Sequence, residues 1–411
     1  MNRLLLVLAL LLAAAFAAYE TMGSDSLYWK RRLLLTVISP ANLPSSYFEP
    51  SQLIEGASDG QSMSIPRVDP AQEKLGISSL DLAAQYANEH DAQALIIGRH
   101  GHIVFERYWN GAAADTLVDA GSFNATLTAL AFGMATADRK IALTAEPVAN
   151  YIESFRDPRR STITLEHLLR MSSGLGPNAE AATSATADLR TSTREQLAHD
   201  IRTECLDREP VAAPGTRWQV QPCDSQLLAH IIERATGEAY ASYLSKSLWK
   251  PIGASDAQLM LDHEGGTAHA GCCLRARLGD WMRIGQLLAN DGRFEGEQVL
   301  PPGWVRTMTT HANPQIPFGY QVWLGAPFTP GGGSSEPYVA DDLFYLRGHG
   351  PSRLWIVPSM SLIILLVGTS DAAGPAWDDS RIPNLVIRGA TDYVPKAPQG
   401  AQDIKTLVPN H

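Results

Sequence analysis

Basic charge is in short supply in this 411-residue chain: 33 lysines and arginines stand against 43 aspartates and glutamates, a formal net charge of −10. The acidic residues are spread along the chain rather than gathered in a tail. There is no electrostatic footprint for nucleic acid, and that class of partner is excluded. Cysteine is scarce too. Cys205, Cys223, Cys272 and Cys273 contain no Cys-x-x-Cys, and no paired histidine spacing accompanies them, which argues against a metal site. They read either as one or two disulfides or as small buried hydrophobes, with no connectivity legible from spacing. Long apolar runs are absent apart from Leu4 to Ala18, which follows Arg3 and ends in the small-x-small triplet Ala15-Phe16-Ala17. That run is shorter than the ~20 residues of a membrane-spanning helix. Residues 1–18 therefore read as a signal peptide or a short membrane anchor, and the expected location is exported, periplasmic or extracytoplasmic. Lys30-Arg31-Arg32 disfavour transfer across a membrane, which keeps a tether through the N-terminus as the alternative.

What is present is enough apolar residue, 45% of the chain, to bury a sizeable core. Residues 19–77 lack a sustained period and read as an extended N-terminal arm, 78–395 as the folded domain, and 396–411 as a C-terminal tail. Ala94 to Gly98 and Ile103 to Tyr108 flank His100-Gly101, a hairpin signal. Leu127, Leu130, Ala131 and Met134 mark the buried face of a helix beginning near Ser122. Thr164 is expected to cap a helix stapled by Ile163 and Leu168 and stopped by Gly174. Asp224 or Ser225 is expected to open another that ends at Gly237, and Asp280 a third. Strand character returns at Tyr320 to Leu324, Leu343 to Leu346, Leu354 to Val357 and Leu362 to Val367. Strands at both ends around a helical middle predict an α+β fold in which the first hairpin and the last strands share one antiparallel sheet.

Several stretches then fall in a telling order: Arg99 to Tyr108 (RHGHIVFERY), Ile163 to Leu175 (ITLEHLLRMSSGL), Pro214 to Trp218 (PGTRW), Gln226-Leu227-Leu228 and Trp249 to Gly253 (WKPIG). Together they resemble the β-lactamase-related serine hydrolases, a group that includes class C β-lactamases, penicillin-binding proteins and similar esterases and amide hydrolases. The resemblance implies a β-lactamase/transpeptidase-like fold, a nucleophile at Ser122, and an oxyanion hole made by the backbone N–H groups of Ser122 and Ser352.

The catalytic motifs depart from that family's pattern. Its Ser-x-x-Lys places the amine one helical step from the hydroxyl, where it can take the proton. Here the stretch is Ser122-Phe123-Asn124-Ala125, and alanine accepts no proton. Losing a general base costs about 10²- to 10⁴-fold. The tyrosine motif aligns with Val220-Gln221-Pro222, which moves no proton. The Lys/His-x-Gly motif aligns with His349-Gly350-Pro351: a cation is kept, while proline replaces a glycine on a strand close to substrate. Cys272-Cys273 stands where relatives carry Gly-Gly. Asn124 is expected to point into the pocket, with Gly350 and Ser352 beside it. His167 reads as structural, and Trp218 and Trp249 as core.

Two functions follow. In the first the protein is a degenerate hydrolase, a pseudoenzyme whose cleft holds a small-molecule or envelope ligand, with Ser122 left as a helix N-cap. In the second it is an active esterase or amide hydrolase in which Ser122 attacks and His349 is the base.

Overall fold

The computed structural model describes residues 26–38, 43–57, 65–142, 144–176, 197–313, 315–325, 328, 333–368 and 377–394. The expected leader and C-terminal tail lie outside these residues. Helix α1 (Ser26–Val37) is followed by strand β1 (Ser51–Ile54), helix α2 (Ile77–Glu89) and the hairpin of β2 (Ala92–Arg99) and β3 (His102–Tyr108). Strand β4 (Leu117–Asp119) leads into helices α3 (Phe123–Ala137), α4 (Leu165–Leu169) and α5 (Pro222–Thr236). Strands β5 (Ala257–Met260) and β6 (Leu274–Arg277) and helix α6 (Leu278–Ala289) come next. The last elements are β7 (Trp323–Leu324), β8 (Phe344–Arg347), β9 (Arg353–Val357), β10 (Leu362–Gly368) and helix α7 (Arg381–Arg388).

The main sheet has the order β7-β8-β9-β10-β2-β3, antiparallel throughout, so the last long strand lies against the first hairpin as the α+β reading requires. Ile364 faces Ile97 across that junction. Side chains alternate in direction along a strand. Leu95, Ile97, Trp355, Val357, Ile364 and Leu366 accordingly meet α2 and α7 on one face. Ala94, Ile96, Leu354, Ile356, Ile363 and Leu365 meet α3 and α6 on the other. Burial on both faces explains why β10 reads as an unbroken apolar run rather than an alternating one. The β2–β3 turn has positive φ at His100 (49°) and Gly101 (86°), the handedness that suits the twist of paired strands.

Helix α3 is the centre of the molecule. Every residue from Phe123 to Ala135 is buried, so the four-residue apolar face seen in the sequence is only one side of an enclosed helix. Three expected boundaries move. Helix α4 ends at Leu169, well short of Gly174, because Met171 turns to a φ of 49°. Helix α5 starts at Pro222, a residue suited to the first helical position because no partner awaits its missing N–H. The strand expected from Tyr320 shortens to Trp323–Leu324, since Gln321 has a φ of 57°.

Part of the segment read as an extended arm is instead built into the fold. Strand β1 pairs with β5, placing Ile54 in the core, within a second sheet of order β1-β5-β6-β4. Arg31 of α1 is buried and donates to the carbonyls of Tyr47, Glu49, Leu261 and Asp262. The guanidinium fork meets several backbone acceptors at once, which ties the N-terminal segment to the body. Among the described residues no helix is long and apolar enough to cross a membrane.

Candidate functional site

Ser122 stands at the N-cap of α3, exposed, and its side chain makes no capping hydrogen bond. The hydroxyl is thus not spent on satisfying the helix end, unlike Thr164, which accepts from the His167 N–H while its own N–H donates to His167 Nδ1. His167 is the capping partner of α4, in line with a structural role.

One helical step from Ser122, Ala125 is buried against Met171 and Phe318, with Trp218, Ile316 and Trp323 packed around them. The three aromatic rings are mutually close: Trp218 to Phe318 5.5 Å, Trp218 to Trp323 5.5 Å and Phe318 to Trp323 5.4 Å between centroids. The space around Ala125 is therefore apolar. Trp249 is fully buried, while Trp218 is only partly so and belongs to this nest rather than the deep core. Val220 is exposed, and the chain on either side of it is pinned to Met171: the Gln219 N–H donates to the Met171 carbonyl, and the Gln221 N–H reaches its sulfur. Pro222, aligned with the end of the tyrosine motif, starts a helix.

On the sheet side, His349-Gly350-Pro351 is not on a strand. It forms the turn between β8 and β9, which close on the pair Arg347 and Arg353. Proline has no N–H to give a ladder, so a turn is the position it tolerates. The His349 ring lies against Gly121, where any Cβ would sit 2.8 Å from its Cδ2, and Gly121 has a φ of 64°. Glycine is thus required there by both space and backbone. His349 Nε2 is 3.6 Å from Asp119 Oδ2, and Asp119 Oδ1 accepts from the Gly121 N–H. The structure brings His349 to the residue beside Ser122 and gives it a carboxylate neighbour that sequence reading missed.

Two expectations are corrected. The Ser352 N–H, assigned to an oxyanion hole, donates to the His349 carbonyl at 2.8 Å, and the Ser352 hydroxyl accepts from Gly368. Ser352 is buried and its donor is committed to the turn. Behind it, the buried Arg353 pairs with Asp379 at 2.8 Å and donates to the carbonyls of Gly350 and Ser352, fixing the turn from below. Asn124 does not point into an open pocket. It is buried, and its Nδ2 donates to the carbonyls of His269 and Cys272.

Asn124 shares this duty with Thr128, four residues on, which donates to the Ala270 carbonyl, and with Gln226, which bonds Ala268 and Ala270. These three clamp the 268–272 loop. Cys272 and Cys273 are joined to each other, and Cys205 to Cys223. Burial pushes His269 down to about 3, so its imidazole is neutral. No sequence signal marked His269, Asp119 or the Arg353–Asp379 pair.

Comparison with known proteins bears on the family and the fold. The beta-lactamase family model matches residues 83–381. A 6-aminohexanoate-dimer hydrolase of Paenarthrobacter ureafaciens is 26% identical over 59% of this chain and 65% of its own length. Esterase EstB of Burkholderia gladioli is 32% identical over 39% of this chain and 45% of its own. Each match spans less than two thirds of the relative. A penicillin-binding protein homologue from Caulobacter crescentus superposes with a TM-score of 0.60 over 80% of this chain and all of its own, at 14% identity, a likeness of fold alone. With well over half of its length matched by the family model, the chain belongs to the beta-lactamase family.

Proposed function

We propose that this protein has left acyl transfer and uses the site beside Ser122 to hold a small-molecule or envelope ligand, outside the cytoplasm. The observation that carries this reading is the apolar nest around Ala125, where nothing can accept the Ser122 proton. A serine without a base is a poor nucleophile at neutral pH, and Val220 offers no substitute. The commitment of the Ser352 N–H to its own turn weakens oxyanion stabilisation as well. The Cys205–Cys223 disulfide, between two buried cysteines, supports an oxidising compartment, with a membrane tether through the N-terminus as one form of export.

A second reading, a rewired esterase or amide hydrolase, draws on one observation. His349 lies on Gly121, the residue before Ser122, with Asp119 3.6 Å from its Nε2, a carboxylate placed to orient an imidazole as base. The names of the relatives, an amide-dimer hydrolase and an esterase, indicate the substrate classes to try. Turnover of nitrocefin, p-nitrophenyl butyrate and the linear 6-aminohexanoate dimer, measured for the wild type, Ser122→Ala and His349→Ala, separates the two. The binding reading expects wild-type rates no higher than those of Ser122→Ala. Turnover lost in both variants would establish the rewired hydrolase.

A further inference from the structure

The loop that Asn124 and Gln226 clamp carries a group of side chains with no role in either reading. A ring nitrogen of His269 and the sulfurs of Cys272 and Cys273 all lie within 4.8 Å of one another. His269 is 3% exposed, and its Nε2 has no hydrogen-bond partner among the described residues. Asn124 Oδ1, on the side chain that bonds the His269 and Cys272 carbonyls, is likewise buried without a partner. Buried polar atoms are nearly always satisfied, so two orphans around one sulfur pair call for an explanation. Cys273 is sealed by Tyr47, Phe48 and Met260, whereas Cys272 is only partly buried. The pair can therefore be reached from one side.

We propose that, once the bond between them is reduced, Cys272 and Cys273 join His269 in a site for a single thiophilic cation of the Zn²⁺ class. The reductant is a dithiol. One of its thiolates attacks Cys272 to give a mixed disulfide, expelling the Cys273 thiolate. Its second thiol displaces Cys272 and closes the reductant's own ring. Two electrons and two protons pass to the protein, which leaves two cysteine thiols. The cation then displaces both thiol protons to solvent and is held by two thiolates and one imidazole, a ligand set that suits zinc. Ligands bound to one such ion at about 2.0–2.3 Å stand within about 4 Å of each other, so on reduction the two sulfurs part from bonding distance while the ring nitrogen, within 4.8 Å of both, is already near. Their spacing in the sequence is no metal motif; the fold brings His269 to the pair. The site does not depend on whether Ser122 acylates.

Co²⁺ is the probe. The purified protein is reduced, freed of reductant and titrated with Co²⁺, with folding checked by circular dichroism. The expected result is one Co²⁺ per chain with thiolate-to-cobalt charge-transfer absorption, none before reduction and none in Cys272→Ser/Cys273→Ser. His269→Ala should bind about tenfold more weakly or worse. His269→Gln keeps a polar side chain in the same space and serves the comparison if the alanine variant does not fold. Absence of the band in reduced, folded protein would overturn the proposal. So would a band that persists in the double serine variant, which would belong to Cys205 and Cys223, or undiminished binding in the His269 variant.

Discussion

The two sides of Ser122 have been treated differently. On the sheet side, polar groups hold the His349 turn in one shape: Ser352 closes it, Arg353 donates to two of its carbonyls, and Asp379 pairs with Arg353. On the helix side, Met171, Phe318, Trp218 and Trp323 surround an alanine, and Val220 stands in solvent. The packing around Ala125 is apolar, whereas the other side holds His349 on a polar scaffold. One serine of this fold can thus stand between a polar scaffold on one side and an apolar one on the other.

The largest effect that would break this contrast comes from Arg353→Met. It leaves Asp379 buried and unpaired, and urea unfolding should show a loss of about 3–5 kcal/mol. A loss under about 1 kcal/mol would mean the turn is not held by this pair. Asn124→Ala removes two buried hydrogen bonds to the 268–272 loop and should cost about 1–3 kcal/mol by the same assay, leaving two loop carbonyls unsatisfied.

A smaller effect depends on pH. Asp280 lies in the first turn of α6, the helix packed beneath β9 and β10, and burial pushes it up to about 6. The folded state therefore favours its protonated form. That contribution is full below the ordinary carboxylate range, about 4, and is lost as pH rises through about 6. Between pH 4.5 and 7 the wild type should lose stability relative to Asp280→Asn; the opposite slope would contradict the assignment. The smallest effect belongs to Val220→Ala, an exposed change expected to stay within about 0.5 kcal/mol. A larger cost would show that the helix side is as tightly specified as the sheet side.

The sequence carried the regular parts well, and for physical reasons. The hairpin at His100-Gly101, the continuous run of β10 and the Thr164 cap each follow from local pattern, and all three formed. What stayed hidden depends on contacts far apart in the chain. Arg31 looked like one charge in a basic cluster until four distant carbonyls closed on it. Asp119 gains its meaning only from His349, 230 residues later. The His349 motif was read as a strand, though Pro351 already argued for a turn. Ser122 and Ala125 were legible from spacing; the apolar nest that makes the alanine significant was not.

The most direct test of the central claim is covalent labelling of Ser122. The protein and its Ser122→Ala variant are treated with a fluorophosphonate probe and a fluorescent penicillin, and intact masses are recorded. The account expects no adduct on folded wild-type protein. An adduct on the wild type that disappears in Ser122→Ala would contradict it and make His349 the base to pursue.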